Sequence, residues 1–264
     1  MSAQAGSAEL VVDGLTIRFG GLTAVEGMSF EVRSGEVLSL IGPNGAGKTS
    51  AFNAITGYIQ PDAGRILYRG IELVGLTPNR IAEQGVVRTF QKTSVFMGQT
   101  AFDNVLLGLH LASRQKPLAI IFALPSVARE EKTLAEEARR ILTFVGLEDR
   151  RGLLASSLPY GELRLLEVAI ALAAKPKLLL LDEPVSGMNP AETASFMGKL
   201  TEIRALGITV LLVEHDMKMV MGVSDRVICL NQGRIIASGT PAEIQRDPEV
   251  IKAYLGERYV RAHG

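Results

Sequence analysis

The run Gly42-Pro43-Asn44-Gly45-Ala46-Gly47-Lys48-Thr49 has the spacing G-x-x-x-x-G-K-[ST]. Its residue types suit phosphate chemistry. The glycines let backbone N–H groups turn inward around a phosphate, and a helix that follows adds the positive end of its dipole. In such a loop Lys48 reaches the β- and γ-phosphates, and the Thr49 hydroxyl coordinates Mg²⁺. Ser50 is counted with the same ATP-binding run. The flanks agree: residues 37–41 read as a buried strand entering the loop, residues 48–56 as a helix leaving it, with Gly57 as its C-cap.

A second constellation ends the apolar run Leu178-Leu179-Leu180-Leu181 with Asp182-Glu183-Pro184. Two acids at a buried strand end are expensive unless they meet a cation or hydrogen-bond donors. Beside a phosphate loop, Asp182 is the expected Mg²⁺ holder and Glu183 the general base that polarises an attacking water. The next apolar run, residues 208–213, ends in Glu214-His215-Asp216 and repeats the pattern. His215 is placed to contact the γ-phosphate and keep base and water in register.

The elements needed to position these groups are legible as patterns. Residues 10–12, 16–19 and 28–32 are short strand candidates separated by Gly-containing turns. Residues 92–174 are mainly helical, with Leu134, Ala138, Ile141, Leu142 and Val145 along one face of a helix over 130–145. Residues 178–181 and 208–213, joined by a helix over 191–206, look like buried parallel strands. Strands over 226–230 and 234–237 flank a hairpin-like turn at Asn231-Gln232-Gly233.

Composition narrows the classes. An apolar fraction of 47% supports a sizeable core. Lys plus Arg and Asp plus Glu number 28 each, so no basic excess argues for a nucleic-acid partner. The first 14 residues lack the charge and apolar stretch of a signal peptide. No apolar run approaches the roughly 20 residues that cross a bilayer. Cys229, the single cysteine, reads as a buried core residue in a reducing compartment.

In this order, the motifs resemble the ABC ATPase family over nearly the whole chain. The resemblance implies an α/β fold: a P-loop NTPase core with an N-terminal antiparallel β subdomain and an inserted helical subdomain. The core is expected over about 1–91 and 175–264, the helical part over about 92–174. It implies that Gln91, in Arg88-Thr89-Phe90-Gln91, is the Q-loop glutamine that contacts Mg²⁺ and the attacking water. Pro159, Tyr160, Gly161 and Glu162 stand at the signature motif, followed by a helix from about Leu163, and would meet the ATP of an opposing subunit. Ser186, Gly187, Met188 and Asn189 stand at the D-loop. Phe19 resembles the aromatic that stacks on adenine, although a strand aromatic also fills a core.

More narrowly, Arg18-Phe19-Gly20-Gly21-Leu22-Thr23-Ala24-Val25, the Arg-Thr-Phe-Gln form of the Q-loop, the Leu-Pro-Tyr-Gly signature, Gly187-Met188-Asn189-Pro190 and Ala253-Tyr254-Leu255-Gly256 resemble the LivG-type ATPases of branched-chain (hydrophobic) amino-acid importers. That implies ATP and Mg²⁺, a second ATPase subunit, two transmembrane permeases, an external solute-binding protein, and a peripheral place on the cytoplasmic face of the inner membrane. The same motor could serve urea, short amides or aromatic and organic acids, because an ATPase subunit does not touch the solute. A soluble ABC ATPase acting on ribosomes or DNA is disfavoured by one P-loop, no sustained heptads and zero formal net charge. Intact Lys48, Asp182, Glu183, Gln91 and His215 argue against a regulator that no longer hydrolyses.

The chain departs from the family pattern where Pro159 replaces a serine, Tyr160 a glycine, Glu162 a glutamine and Asn189 the D-loop carboxylate. These changes favour a heterodimer whose two ATP sites differ. Residues 118–124, uncharged and flanked by charges, read either as a short buried helix or as an apolar face that docks on a permease or membrane.

Overall fold

The structure, a computed structural model, describes residues 7–89, 95–112 and 125–254. Gln91, the apolar segment 118–124 and the Leu255-Gly256 ending therefore lie outside the described residues. The chain forms two compact units: one gathers Met1–Arg88, Lys177–Glu183 and Met197–Gly264, the other Thr89–Pro176 and Pro184–Phe196.

The first unit opens with two long strands, β1 (Ala8–Phe19) and β2 (Leu22–Arg33), paired antiparallel. The three short strands expected here are pieces of these two. Gly14 and Gly27 do not end strands. Each has φ 60° and sits where the β1–β2 register shifts, so they act as bulges inside continuous strands. The backbone N–H of Gly14 donates to Ser29 Oγ at 2.8 Å, and that of Gly27 to Thr16 Oγ1 at 3.1 Å.

Next come β3 (Val37–Ile41), α1 (Lys48–Ile55), β4 (Ala63–Tyr68), β5 (Ile71–Glu72), α2 (Pro78–Glu83) and β6 (Val86–Arg88). At six, two, six and three residues, β4, β5, α2 and β6 are too short to stand out as patterns in the sequence. In the second unit lie α3 (Ala101–Ala112), α4 (Pro125–Val145) and α5 (Tyr160–Ala173). The chain then runs through β7 (Leu178–Asp182), α6 (Pro190–Ala205), β8 (Thr209–Val213), α7 (Met217–Val223), β9 (Arg226–Asn231), β10 (Arg234–Gly239) and α8 (Pro241–Arg246).

The first unit holds two sheets. One is antiparallel, in the order β2-β1-β4-β5; the other runs β10-β9-β3-β8-β7-β6, parallel except for β10. Every residue of β3, β7 and β8 is buried, including the polar Ser39, Asp182 and Thr209 among their mainly apolar neighbours. Leu10, Ile17, Phe52, Ile66, Leu180 and Leu211 belong to one apolar cluster fed by both sheets. Glu9 adds a buried polar tie: its carboxylate accepts hydrogen bonds from the Tyr68 hydroxyl (3.1 Å), Arg69 Nε (2.9 Å) and the Thr209 hydroxyl.

Register matters most for function. Leu40 pairs with Val213, and Val213 with Asp182, so β3, β8 and β7 end at one edge. Whatever follows those three strands emerges together, at the carboxyl ends where open α/β sheets bind ligands. The β9–β10 turn is the two-residue loop Gln232-Gly233, with φ 47° and 79°, as a tight hairpin requires. Gly233 N–H also donates to the Ala46 carbonyl at 3.0 Å, tying the hairpin to the glycine-rich loop.

In the second unit, α4 places Ala138, Leu142 and Val145 in the core, with Leu134 and Ile141 packed against it. This is the face that helical spacing predicts.

Candidate active site

Gly42 leaves β3 with φ 145°, and a Cβ there would lie 2.1 Å from the Leu230 carbonyl oxygen. Gly47 has φ 104°, and its Cβ would lie 2.4 Å from the Ala24 carbonyl oxygen. Both positions require glycine, for space as much as for backbone angle. Gly47 is the N-cap of α1, where no side chain caps the helix and no acid occupies the first turn. The helix dipole therefore faces the loop uncompensated by a carboxylate. Asn44, Gly45 and Thr49 are exposed, Ala46 is buried, and Pro43, Gly47 and Ser50 are half-buried. Lys48 is only 5% exposed; its Nζ donates to the carbonyls of Gly42 (2.6 Å) and Pro43 (2.9 Å), folding back over the loop it serves.

Asp182 ends β7 with a buried side chain. Its Oδ2 accepts from Arg88 Nη2 at 2.6 Å, while Oδ1 is buried with no hydrogen-bond partner among the described residues. An orphaned carboxylate oxygen, together with the Thr49 hydroxyl, supplies the hard oxygen ligands that Mg²⁺ takes. The residues fit the ion.

One residue on, Glu183 has φ 48°, in the left-handed region that side chains usually avoid. Its backbone N–H donates to Val213 O at 2.8 Å, which holds the turn against β8. Strain of this kind gathers at functional sites. From the end of β8, His215 Nε2 meets Glu183 Oε1 at 2.6 Å. Glu214 anchors the segment: its buried carboxylate accepts the N–H of His215 (2.8 Å) and of Asp216 (3.2 Å). Asp216 in turn caps α7 by accepting from Met219 N–H at 2.9 Å. Phosphate loop, Asp182, Glu183 and His215 thus share one sheet edge.

Phe19 ends β1 at 49% exposed, which removes the core-filling reading and leaves its ring available to a flat ligand. Arg88 was missed. The Arg-Thr-Phe-Gln run marks it only as a neighbour of Gln91, and the Asp182 partner lies 94 residues away.

In the second unit, α5 begins at Tyr160, not near Leu163, with Pro159 as N-cap at φ −54° and ψ 154°. Tyr160, Gly161 and Glu162 therefore form the first helical turn. Tyr160 is pinned on two sides. Its hydroxyl accepts from Arg164 Nη2 at 2.6 Å, and its ring lies against Gly187, where a Cβ would come within 3.0 Å. The residues expected at the signature and at the D-loop are thus neighbours at Tyr160 and Gly187. Asn189 caps α6 by accepting from the N–H groups of Ala191 (2.9 Å) and Glu192 (3.0 Å), and the Glu192 carboxylate returns to Asn189 N–H at 2.8 Å. Arg164 also pairs with Glu167 at 2.8 Å, and burial pushes the Glu167 carboxyl above its usual range despite that partner.

A family model described as ABC transporter matches residues 25–186, and one described as branched-chain amino acid ATP-binding cassette transporter matches residues 234–260. Across 249 residues the chain is 45% identical to the high-affinity branched-chain amino acid transport ATP-binding protein BraF of Pseudomonas aeruginosa, covering 94% of this chain and 98% of that protein. It is 44% identical, with the same coverage, to the corresponding LivG protein of Escherichia coli (strain K12). Among solved structures, it is similar to an ATP-binding cassette of an ABC transporter in its ADP conformation, with TM-score 0.83, 31% identity and coverage of 94% and 99%. A nucleotide-free cassette from an ABC transporter gives TM-score 0.82 at 31% identity, covering 94% and 98%.

Proposed function

The chain belongs to the ABC transporter ATP-binding family, and from that premise we propose that it powers an importer of branched-chain or other hydrophobic amino acids. It binds and hydrolyses ATP as that family does. The cargo reading is supported by the branched-chain family match near the C-terminus and by relatives named for that transport.

At the site, we assign the phosphates to the loop from Gly42 to Ser50 and adenine to Phe19. Lys48 Nζ exchanges the Gly42 and Pro43 carbonyls for phosphate oxygens. Thr49 and Asp182, with Gln91 of the Q-loop, would hold Mg²⁺, which would supply charge neutralisation at those oxygens. Glu183 accepts a proton from the attacking water as its oxygen adds to the γ-phosphorus; the bond to the β–γ bridging oxygen breaks, giving ADP and phosphate. His215, through the contact at Glu183 Oε1, keeps the base aimed. That 2.6 Å pairing, held by strained backbone on one side and by Glu214 on the other, is the observation that carries the assignment.

The partner reading rests on the second unit. Gly161 N–H and the α5 N-terminus can serve a nucleotide held by an opposing ATPase, but Pro159 brings neither hydroxyl nor N–H. Sites of unequal activity in a heterodimer follow. Phe96, Met97, Leu153 and Leu154 are exposed, and backbone bonds join their segments: Ala101 N–H to Leu153 O at 2.9 Å and Ser156 N–H to Met97 O at 3.1 Å. Clustered exposed apolar side chains of this kind suit a permease contact. No described helix is long and apolar enough to cross a membrane, so peripheral attachment through permeases, on the cytoplasmic face, is the arrangement we assign.

The test is reconstitution with the permeases and binding protein of the same system in vesicles, following ATP-dependent uptake of leucine, urea and a short amide. Leucine uptake supports the cargo assignment; uptake of urea or amide alone replaces it.

A further inference from the structure

Arg88 ends β6 and reaches into the site, although neither the phosphate loop nor the acidic strand end calls for it. Its side chain is 7% exposed, and that of Asp182 is 0%. Nη2 donates to Asp182 Oδ2 at 2.6 Å, Nη1 donates to Asn53 Oδ1 at 2.6 Å, and the guanidinium carbon lies 5.5 Å from the centre of the Phe52 ring. Asn53 and Phe52 belong to α1, the helix that carries Lys48 and Thr49. One cation is thus gripped by the phosphate-loop helix and by the strand that presents Asp182. Among the described residues, Arg88 Nε and Asp182 Oδ1 are both buried without hydrogen-bond partners, so the pair is held through one edge only.

A buried carboxylate needs a positive partner, and here a guanidinium supplies it before any metal arrives. The same charge would oppose a divalent ion at Asp182. Free metal then gains little at Asp182, whereas metal that arrives with the polyphosphate is carried in by the phosphates' own charge. Oδ1 stays available throughout, because Arg88 uses Oδ2. We propose that Arg88 is the resident counter-ion of Asp182, a positioning residue that makes divalent metal enter with the nucleotide instead of ahead of it. This rests on the reading of Asp182 as the metal carboxylate.

The experiment titrates Mn²⁺, seen by electron paramagnetic resonance, into the full chain with and without ATP. Arg88→Gln removes the charge but keeps hydrogen-bond donors; Arg88→Lys keeps the charge; Asp182→Asn removes the carboxylate. Without ATP, Arg88→Gln is expected to bind Mn²⁺ about tenfold or more tighter than wild type, with Arg88→Lys close to wild type. A gain absent from Arg88→Gln, or equally large in Arg88→Lys, overturns the inference. Should Arg88→Gln not fold alone, millimolar Mn²⁺ during refolding is expected to restore it, and no restoration overturns the inference as well. Asp182→Asn separates the two ideas. If it holds Mn²⁺ with ATP as wild type does, the metal assignment itself fails; if it loses Mn²⁺ while Arg88→Gln gains nothing, only the counter-ion role fails.

Discussion

Glu183 keeps φ 48° because its N–H is bonded to Val213 and its carboxylate is met by His215. An unsupported side chain in that region costs about 1–3 kcal/mol. His215→Ala should therefore lower kcat on the order of 10²-fold while nucleotide affinity stays near wild type, checked by steady-state hydrolysis beside equilibrium ATP binding. At Gly42 the conflict is steric: a Cβ meets the Leu230 carbonyl at 2.1 Å, on backbone at φ 145°. Gly42→Ala is expected to destabilise the protein by at least about 1–3 kcal/mol in denaturant titration. Cys229 gives a pH-dependent case. Burial, and then the charge of Asp247, pushes its thiol from 9.0 up to about 12. The folded protein holds that proton more tightly than the unfolded chain does. Its contribution to stability is thus complete below pH 9.0 and is lost as pH rises toward about 12. At pH 8 the native thiol should resist iodoacetamide and react only after unfolding, as mass spectrometry would record.

Elements are fixed by their ends as much as by their faces. Asn189 and Glu192 satisfy the first turn of α6 reciprocally, and Thr240 with Glu243 forms a capping box on α8. Asn189→Ala should cost about 1 kcal/mol in thermal or chemical unfolding. Asn189→Asp should cost little, because a carboxylate accepts the same N–H bonds. The elements most legible in the sequence were those with one unambiguous cause. The short, mainly apolar runs of β3, β7 and β8, two of them leading into motifs that need a strand end, read as buried strands, and the glycine spacing of the phosphate loop admits few other conformations. Gly14 and Gly27 misled because a left-handed glycine in a bulge and one in a turn look alike in sequence. Strands β5 and β6 are two and three residues long, too short for alternation to register. The roles of Arg88 and Glu9 were hidden for another reason: each is explained by partners as far as 94 and 200 residues away, which only the sheet order brings near.

On the scale of the whole molecule, register turns separate motifs into one machine. Because β3, β7 and β8 stop at a common edge, the phosphate loop, Asp182, Glu183 and His215 need no further device to meet. The proposed signature turn and D-loop lie side by side at Tyr160 and Gly187. With Pro159 in place of a hydroxyl donor, that surface is expected to serve a partner's nucleotide poorly, so the isolated chain should hydrolyse ATP well below the rate of the assembled transporter. Equal rates would argue against a heterodimer of unlike sites. The most direct test of the account is Glu183→Gln in the complex with permeases and partner ATPase, measuring single-turnover hydrolysis at this chain's site alongside ATP binding. The account predicts that ATP still binds and stays intact. Turnover at that site equal to wild type would contradict it and remove Glu183 from the role of base.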